Sequence, residues 1–176
     1  MFKEKNFSIW IIGPSAAGKT TISKLLYNYL LKEKKNLVRI DGNQIRLIWE
    51  RNLGYDKISR SKNTSRYVNL VKWLSEFNIS TILAVISSSQ EDRLSCRKQI
   101  QNYYEIYLKS SRDERIKRDT KKLYLSAIKG EKKNVVDVDI PFDKPSTCDL
   151  EIDTENKSPD EIFKEIIKKI SLDNIT

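Results

Sequence analysis

The stretch Gly13-Pro14-Ser15-Ala16-Ala17-Gly18-Lys19-Thr20 (GPSAAGKT) fits the spacing of glycine, four residues, glycine, lysine and serine or threonine that is typical of a phosphate-binding loop. Glycine permits backbone angles that other residues avoid, so N–H groups of such a loop can turn toward phosphate oxygens. The lysine lies near the β- and γ-phosphates, and the hydroxyl that follows it ligates Mg²⁺. We call this stretch the phosphate loop and predict that it binds ATP through Gly13, Ser15, Ala16, Ala17, Gly18, Lys19, Thr20 and Thr21.

The segments around the phosphate loop predict where it lies in the fold. An apolar run of strand type, 7–12, precedes it. Further short runs rich in Ile, Leu, Val or aromatic residues predict strands at 37–41, 81–86, 104–108 and 150–153. Helices are predicted between the strands, at 19–33, 44–51, 63–77, 90–103 and 111–129, the last with a break.

The alternation of strands and helices indicates the α/β architecture of P-loop nucleoside triphosphate hydrolases and kinases. We expect a five-stranded, mainly parallel sheet with helices on both faces. A last helix is predicted after Ser158, because Ser158 is a natural N-cap and Pro159 suits the first helical position. A length of 176 residues suits a single domain, 1–176.

The charge of the chain is concentrated in one segment. The formal net charge is +9, and residues 109–134 hold ten Lys or Arg against four Asp or Glu. Such a segment is a solvated helical face, a nucleic-acid patch or a lid that closes over polyphosphate. Beside a phosphate loop we favour a basic lid, at approximately 112–145, and consider nucleic acid an unlikely partner.

Composition excludes several other classes of protein. The chain has two cysteines far apart and no histidine, which excludes a zinc site of the usual spacing and a histidine-based nucleophile. No apolar stretch reaches the length of a membrane span or signal peptide, so we expect a cytoplasmic protein with no membrane partner. A homodimer is left open.

Ligands of α/β folds bind beyond the carboxyl ends of the strands, so residues that follow strands are candidates for the site. Asp41 closes the second predicted strand, where its carboxylate can hold magnesium or accept a proton from a hydroxyl. A turn aspartate that caps the next helix is an equally good interpretation. The third strand is followed by Ser87 rather than by an aspartate, which leaves Asp41 as the acidic partner of Mg²⁺ beside Thr20.

Three arginines, Arg46, Arg60 and Arg66, follow the second strand within a short distance in the sequence. The guanidinium group is a rigid fork of donors that suits phosphate or sulfate. A single arginine is more often a surface residue, whereas two of them beside this crevice predict an anion clamp for the acceptor.

The order and spacing of several motifs resemble those of adenylylsulfate kinases over residues 8–154. Besides the phosphate loop, these motifs are DGNQIR (41–46), LGYDKISR (53–60), AVIS (84–87), RDTKKLY (118–124), DIPFD (139–143) and LEIDT (150–154). The resemblance implies transfer of the γ-phosphate of ATP to the 3′-hydroxyl of a small-molecule nucleotide, adenylylsulfate. The product would be 3′-phosphoadenylylsulfate, the sulfate donor.

The resemblance also implies roles for individual residues. Lys19, Asp41 and Ser87 take the catalytic positions. The serine that Ser87 matches has sometimes been assigned a transient phosphoserine role. Arg118 matches a residue against the ATP adenine, and Tyr55 an aromatic that stacks on the acceptor base. The full set predicted to bind the acceptor is Asn43, Arg46, Tyr55, Arg60, Asn63, Ser87, Lys121 and Leu123.

Three positions depart from the family pattern. Asn43 stands where the family has aspartate, and an amide cannot take up a proton. Lys122 replaces a glycine of the lid motif, and no aromatic residue occurs near Asn134–Val136, where a lid phenylalanine would complete a sandwich around adenine. Some family members in capsule gene clusters are thought to act on cytidine diphosphoramidate, whose smaller base needs less stacking surface. This substrate is the leading alternative.

Two alternatives from other classes also follow from the sequence. The charge of +9 suggests a nucleic-acid-binding P-loop ATPase, although the surplus lies in the predicted lid and no nucleic-acid-binding motif is evident. Asn43 suggests a catalytically inactive relative retained as a binding protein.

Overall fold

Five strands form the centre of the molecule, and the computed structural model describes them within residues 6–172. They are β1 (Ser8–Ile12), β2 (Leu37–Asp41), β3 (Ser80–Val85), β4 (Tyr103–Lys109) and β5 (Leu150–Asp153). The sheet has the order β2-β3-β1-β4-β5, and every neighbouring pair is parallel. The predicted α/β fold class is confirmed, and each strand matches its predicted range to within one residue at either end.

Seven helices are present in the described part of the chain. They are α1 (Lys19–Leu30), α2 (Gly42–Ile48), α3 (Lys57–Glu76), α4 (Gln90–Gln99), α5 (Arg112–Arg118), α6 (Leu123–Ile128) and α7 (Pro159–Leu172). None of the helices within residues 6–172 has the length and apolarity needed to cross a membrane.

Several predicted helix boundaries are wrong. Helix α1 ends at Leu30 rather than at residue 33, α2 spans Gly42–Ile48 rather than 44–51, and the largest errors are in α3 and α4. Helix α3 begins at Lys57 rather than at residue 63, because the Asp56 side chain accepts hydrogen bonds from the Ser59 backbone N–H (2.9 Å) and hydroxyl (2.6 Å) and caps the helix. Helix α4 ends at Gln99 instead of residue 103, because the chain enters β4 at Tyr103. The corrected start of α3 places Arg60 on the helix instead of in a loop.

The predicted break within 111–129 separates α5 from α6. Lys122 lies at this break in the left-handed conformation, with φ of 52°. That region favours glycine, the residue that the family resemblance led us to expect at this position. The turn is completed by a hydrogen bond of 2.8 Å from the Tyr124 N–H to the Asp119 carboxylate.

An apolar core covers each face of the sheet. On one face α1 and α7 pack on the strands through residues such as Leu26, Ile106 and Ile166, and on the other face α3 packs through Tyr67 and Val71. All five residues of β1 are buried between β3 and β4. The phosphate loop therefore leaves the sheet from its most restrained strand.

The α7 contact predicts a specific loss of stability. Ile166 is fully buried, so Ile166→Ala should lower the free energy of unfolding by about 2–5 kcal/mol, the usual range for a large aliphatic residue truncated in a core. Ile48 is 71% exposed, and Ile48→Ala should change the same quantity by less than about 0.5 kcal/mol. Urea denaturation of both variants measures the difference, and equal losses would contradict the packing described for α7.

Candidate active site

A cavity of about 820 Å³ opens at the carboxyl ends of β1, β2 and β3. It is bounded by the phosphate loop, by α2 and α3, by the loop after β3, by the predicted lid and by the start of α7. Most residues predicted to bind ATP or the acceptor line it, namely Ser15, Ala16, Gly18, Lys19, Thr20, Thr21, Asp41, Asn43, Arg46, Tyr55, Arg60, Asn63, Ser87, Arg118, Lys121 and Leu123.

Two predicted ATP-binding residues lie outside the lining of this cavity. Ala17 packs in the apolar core with no exposed surface. Gly13 donates its N–H to the Ile86 carbonyl at 3.4 Å and has a φ of 146°. A Cβ at Gly13 would meet the Leu108 carbonyl oxygen at 2.7 Å, so this position has no room for a side chain.

Lys19 begins α1, and its ammonium group folds back into the phosphate loop. Its Nζ donates a hydrogen bond of 2.5 Å to the Pro14 carbonyl. Burial lowers the pKa of this group to about 7, an effect that Asp41 opposes and Arg115 reinforces. A phosphate placed in the loop would restore the ordinary charge of Lys19, because an anion stabilises the protonated form.

Asp41 caps the helix that follows it, one of the two roles that its sequence position suggested, and its carboxylate also contacts Thr20. One carboxylate oxygen accepts a hydrogen bond of 2.6 Å from the Thr20 hydroxyl, and the other accepts one of 2.9 Å from the Asn43 N–H and caps α2. Arg39 lies 3.9 Å from the same carboxylate. Two hard oxygen ligands of this kind suit magnesium.

Magnesium would need further ligands at this position. Within residues 6–172 no group of three or more His, Cys, Asp or Glu side chains is arranged to hold a metal ion. Thr20 and Asp41 supply only two side-chain ligands. Magnesium keeps several waters and shares substrate phosphates in many nucleotide sites, so this pair fits that mode of binding.

The acceptor side of the cavity is built around two arginines and Tyr55. Arg46 is buried, donates to the carbonyls of Leu53 (3.0 Å) and Gly54 (3.2 Å), and places its guanidinium 4.6 Å from the centre of the Tyr55 ring. Arg60 donates to the Tyr55 carbonyl at 2.6 Å. Neither arginine forms an ion pair with a carboxylate of the described residues, so their positive charge is available to an anion.

Arg66 does not join this clamp. Its guanidinium donates to the Asn52 side chain at 2.7 Å and lies 5.6 Å from the centre of the Trp49 ring. It is absent from the cavity lining. Of the three arginines, Arg46 and Arg60 line the cavity and stay the candidates for the predicted anion clamp.

Two tyrosines line or support the site without having been assigned a role from the sequence. The Tyr67 hydroxyl accepts a hydrogen bond of 2.5 Å from Asn63 and donates one of 3.3 Å to the Gly42 carbonyl, and burial raises its pKa. The Tyr124 hydroxyl donates to the Ser15 carbonyl of the phosphate loop at 3.0 Å. In the sequence, a tyrosine on the core-facing side of a helix is already explained by the burial of its ring. Nothing in the sequence therefore indicates that its hydroxyl supports a binding site.

Ser87 stands on the loop after β3 in an unusual conformation. Its φ is 48°, in the left-handed region that favours glycine. The residue lines the cavity, and its hydroxyl is buried without a hydrogen-bond partner among the described residues. A buried hydroxyl of this kind is expected to pair with a group that enters the site.

The predicted lid supplies one wall of the cavity. Val135 and Val136 are almost fully buried yet line the cavity, as do Lys132 and Lys133. The Asp139 carboxylate accepts hydrogen bonds from the N–H groups of residues 134 and 135 and fixes this turn. The basic residues of the segment therefore reach the site, which supports the lid over a solvated face.

The remaining wall lies beside the start of α7. Arg118 donates to the Thr154 carbonyl at 2.7 Å and pairs with Glu114 at 2.8 Å. Pro159 and Ile162 line the same cavity, and neither was predicted as a site residue. In the sequence, Pro159 indicates only the start of a helix.

Comparison with known proteins identifies the family. The model of the adenylylsulphate kinase family matches residues 5–153. The chain belongs to the adenylylsulphate kinase family. It is a phosphotransferase with a hydroxyl acceptor, from a family of kinases that use ATP.

Members of the adenylylsulphate kinase family with different acceptors resemble the chain. It is 38% identical to the cytidine diphosphoramidate kinase of Campylobacter jejuni over 171 residues, which cover 97% of this chain and 99% of the relative. It is 35% identical to an adenylyl-sulfate kinase of Pseudomonas aeruginosa over 161 residues, covering 90% and 82%. The APS kinase of Mycobacterium tuberculosis, solved with AMPPNP and APS, matches with a TM-score of 0.85 at 25% identity, covering 95% and 98%.

The lowered pKa of Lys19 predicts proton uptake on nucleotide binding. In the free protein the group loses its charge as the pH rises through about 7, whereas bound phosphates raise its pKa again. ADP affinity should therefore fall as the pH rises above about 7, with uptake of about one proton at pH 8. Calorimetry in two buffers of different ionisation enthalpy measures this uptake. Lys19→Met is the control, and unchanged uptake in that variant would contradict the assignment.

Proposed function

We propose that this kinase transfers the γ-phosphate of ATP to the ribose 3′-hydroxyl of cytidine diphosphoramidate. The observation that carries this choice of acceptor is the aliphatic wall that Val135 and Val136 contribute to the cavity, at the sequence positions where the family resemblance led us to expect a lid phenylalanine. The sequence alone favoured adenylylsulfate, with cytidine diphosphoramidate as the alternative. The burial of the two valines and the relative from C. jejuni support the reversed order.

The donor end of the cavity suits ATP. Lys19 and the N-terminus of α1 face the phosphate loop, where a polyphosphate would be stabilised by a cation and by the helix dipole. Arg118 is held by Thr154 and Glu114, so its planar guanidinium can lie against adenine near Pro159. Gly13 and Ala17 contribute backbone geometry rather than side chains.

Thr20 and Asp41 would hold magnesium together with the phosphates. Bound there, the ion would neutralise charge on the β- and γ-phosphoryl oxygens. The Thr20–Asp41 hydrogen bond keeps the two oxygen ligands together at 2.6 Å. Lys19 adds a positive charge beside them. Asp41 lines the cavity, and its carboxylate would be the group to accept the proton of the attacking hydroxyl if it does not hold the metal.

Catalysis at the acceptor end rests on positioning. Phosphoryl transfer passes through a loose transition state, so alignment and electrostatics contribute more than a strong base. Arg46 and Arg60 offer unpaired positive charge to the two linked tetrahedral groups of the acceptor, and Tyr55 offers a half-exposed ring to its base. Asn63 and Asn43 supply amides, and Ser87 its unpaired hydroxyl, toward the ribose. Asn43 therefore need not act as a base.

Adenylylsulfate is the second candidate acceptor. The similarity to the M. tuberculosis enzyme solved with APS, at a TM-score of 0.85, favours it. It shares with cytidine diphosphoramidate a nucleoside 5′-phosphate that carries a second tetrahedral group. The arginine clamp accepts either compound, and the base decides between them.

A coupled assay of ADP release, with ATP and magnesium, tests the proposal. Cytidine diphosphoramidate should be turned over with a kcat/KM about tenfold or more above that for adenylylsulfate, because one-sided stacking penalises the purine. A preference for adenylylsulfate would reverse the choice of acceptor. Silence with both, while ADP still binds, would overturn the kinase assignment in favour of an inactive binding protein, and stimulation by nucleic acid would favour the ATPase alternative.

The cytoplasmic location, the single domain and a homodimer stay predictions.

Tyr55 predicts a change that affects only the acceptor. Tyr55→Ala should raise the acceptor KM about tenfold, since stacking of a base on an aromatic ring is worth roughly 1–3 kcal/mol, and should leave ADP affinity unchanged. Tyr29 is a matched control, because it is 42% exposed and contacts Phe163 outside the cavity. Steady-state kinetics of both variants measure the difference. A loss of ADP affinity in Tyr55→Ala would place the ring at the donor end instead.

A further inference from the structure

Arg93 is a buried arginine of α4 that the proposed reaction does not use. It is 2% exposed and lies outside the cavity lining. Its guanidinium donates to the Ser87 carbonyl (2.5 Å), the Asp143 carbonyl (2.6 Å) and the Gln90 side chain (2.6 Å). One side chain therefore joins the loop after β3, the start of α4 and the C-terminal end of the predicted lid.

The charge of Arg93 is balanced within the core. Glu105 on β4 is equally buried, and its carboxylate lies 3.9 Å from the Arg93 Nε. The second carboxylate oxygen accepts a hydrogen bond of 2.6 Å from the Tyr103 hydroxyl. Glu105 thus supplies the opposite charge, while the terminal nitrogens of Arg93 remain directed at the neutral oxygens of the loops.

The hydrogen bond from Arg93 to the Ser87 carbonyl affects the active site, because Ser87 lines the cavity. Ser87 has φ of 48°, a conformation that is unfavourable for a non-glycine residue and persists only where its surroundings enforce it. The N–H of the phosphate-loop residue Gly13 binds the preceding carbonyl, of Ile86, at 3.4 Å. Arg93 binds the next carbonyl along the chain, so the peptide groups on either side of Ser87 are both fixed.

The C-terminal end of the predicted lid is fixed to the same loop by further contacts. The Asp143 N–H donates to the Ser88 carbonyl at 2.9 Å, and the Gln90 N–H donates to the Asp143 carboxylate at 3.2 Å. Phe142 stacks on Tyr107 at 5.7 Å and lies 5.7 Å from the Arg93 guanidinium. Arg93 is the side chain at the centre of this junction.

We propose that Arg93 is a positioning residue that holds Ser87 in its left-handed conformation and so directs the Ser87 hydroxyl at the acceptor. This inference rests on the proposed function, in which Ser87 contacts the acceptor. The guanidinium reaches the Ser87 and Asp143 carbonyls with two separate nitrogens held in a rigid plane, whereas lysine has a single nitrogen. Lysine keeps the charge beside Glu105 and loses the bridge.

The kinetic test is a double-mutant cycle between Arg93→Lys and Ser87→Ala. Arg93→Lys alone should lower kcat/KM for the acceptor about tenfold to a hundredfold, because a displacement near 1 Å of a site residue has effects of that size. ADP affinity should stay within about twofold, since the hydrogen bonds of Arg93 go to Ser87, Gln90 and Asp143 rather than to Lys19 or Thr20. In the Ser87→Ala background the same change should cost less than about twofold. Equal costs in both backgrounds would overturn the proposal.

Arg97→Lys is the matched control. Arg97 lies one turn further along α4 and binds Asp149 through two nitrogens at 3.1 and 2.6 Å, away from Ser87. Its replacement should leave acceptor kinetics unchanged. If Arg93→Lys does not fold, Gln90→Leu is the substitute, because it removes one of the oxygens that accept hydrogen bonds from the Arg93 guanidinium. It should lower kcat/KM for the acceptor about threefold, again only when the Ser87 hydroxyl is present. A Gln90→Leu cost that is the same with and without Ser87 would overturn the proposal.

A second readout does not depend on turnover. Crystal structures of the wild type and Arg93→Lys should show positive φ at Ser87 in the first and its loss in the second. Positive φ retained in Arg93→Lys would overturn the positioning role even if neither acceptor were phosphorylated. Failure of the wild type with both acceptors overturns the proposed function instead, so the two failures are distinguishable.

Discussion

The structure depends on the close approach of backbones at Gly13. Strand β1 is buried along its whole length, and where it ends the chain passes 2.7 Å from the Leu108 carbonyl, measured from the place a Cβ would occupy. Only glycine fits, and its φ of 146° turns the chain into the phosphate loop. From this point the loop reaches Lys19, and the N-terminus of α1 points into the loop, an arrangement that favours an anion. The position of the donor follows from packing in the sheet.

Uncompensated positive charge gives the rest of the cavity its chemistry. Lys19 is partly desolvated, and Arg46 and Arg60 have carbonyl partners but no carboxylates among the described residues. Such groups are stabilised by an anion, so the free site favours a ligand with negative charge at both ends. Asp41 supplies a negative charge between the two ends of the cavity. Its hydrogen bond with Thr20 links the acceptor side to the phosphate loop.

The sequence predicted the fold and the donor end better than the acceptor end. Apolar strand runs and the phosphate loop depend on local patterns, and both were placed within a residue or so. The start of α3 was missed because residues 57–62 are mostly polar, and only Asp56 as an N-cap could have shown it. Arg66 was grouped with Arg46 and Arg60 by proximity in the sequence, whereas its side chain binds Asn52. Tyr67 and Arg93 act through contacts that only the folded chain brings together.

Phosphorus NMR of the product formed from ATP and cytidine diphosphoramidate tests the central claim most directly. The account predicts a new phosphomonoester signal coupled to the ribose H3′, with the diphosphoramidate group intact. Release of inorganic phosphate without that signal, or a phosphate on any other atom of the acceptor, would contradict it.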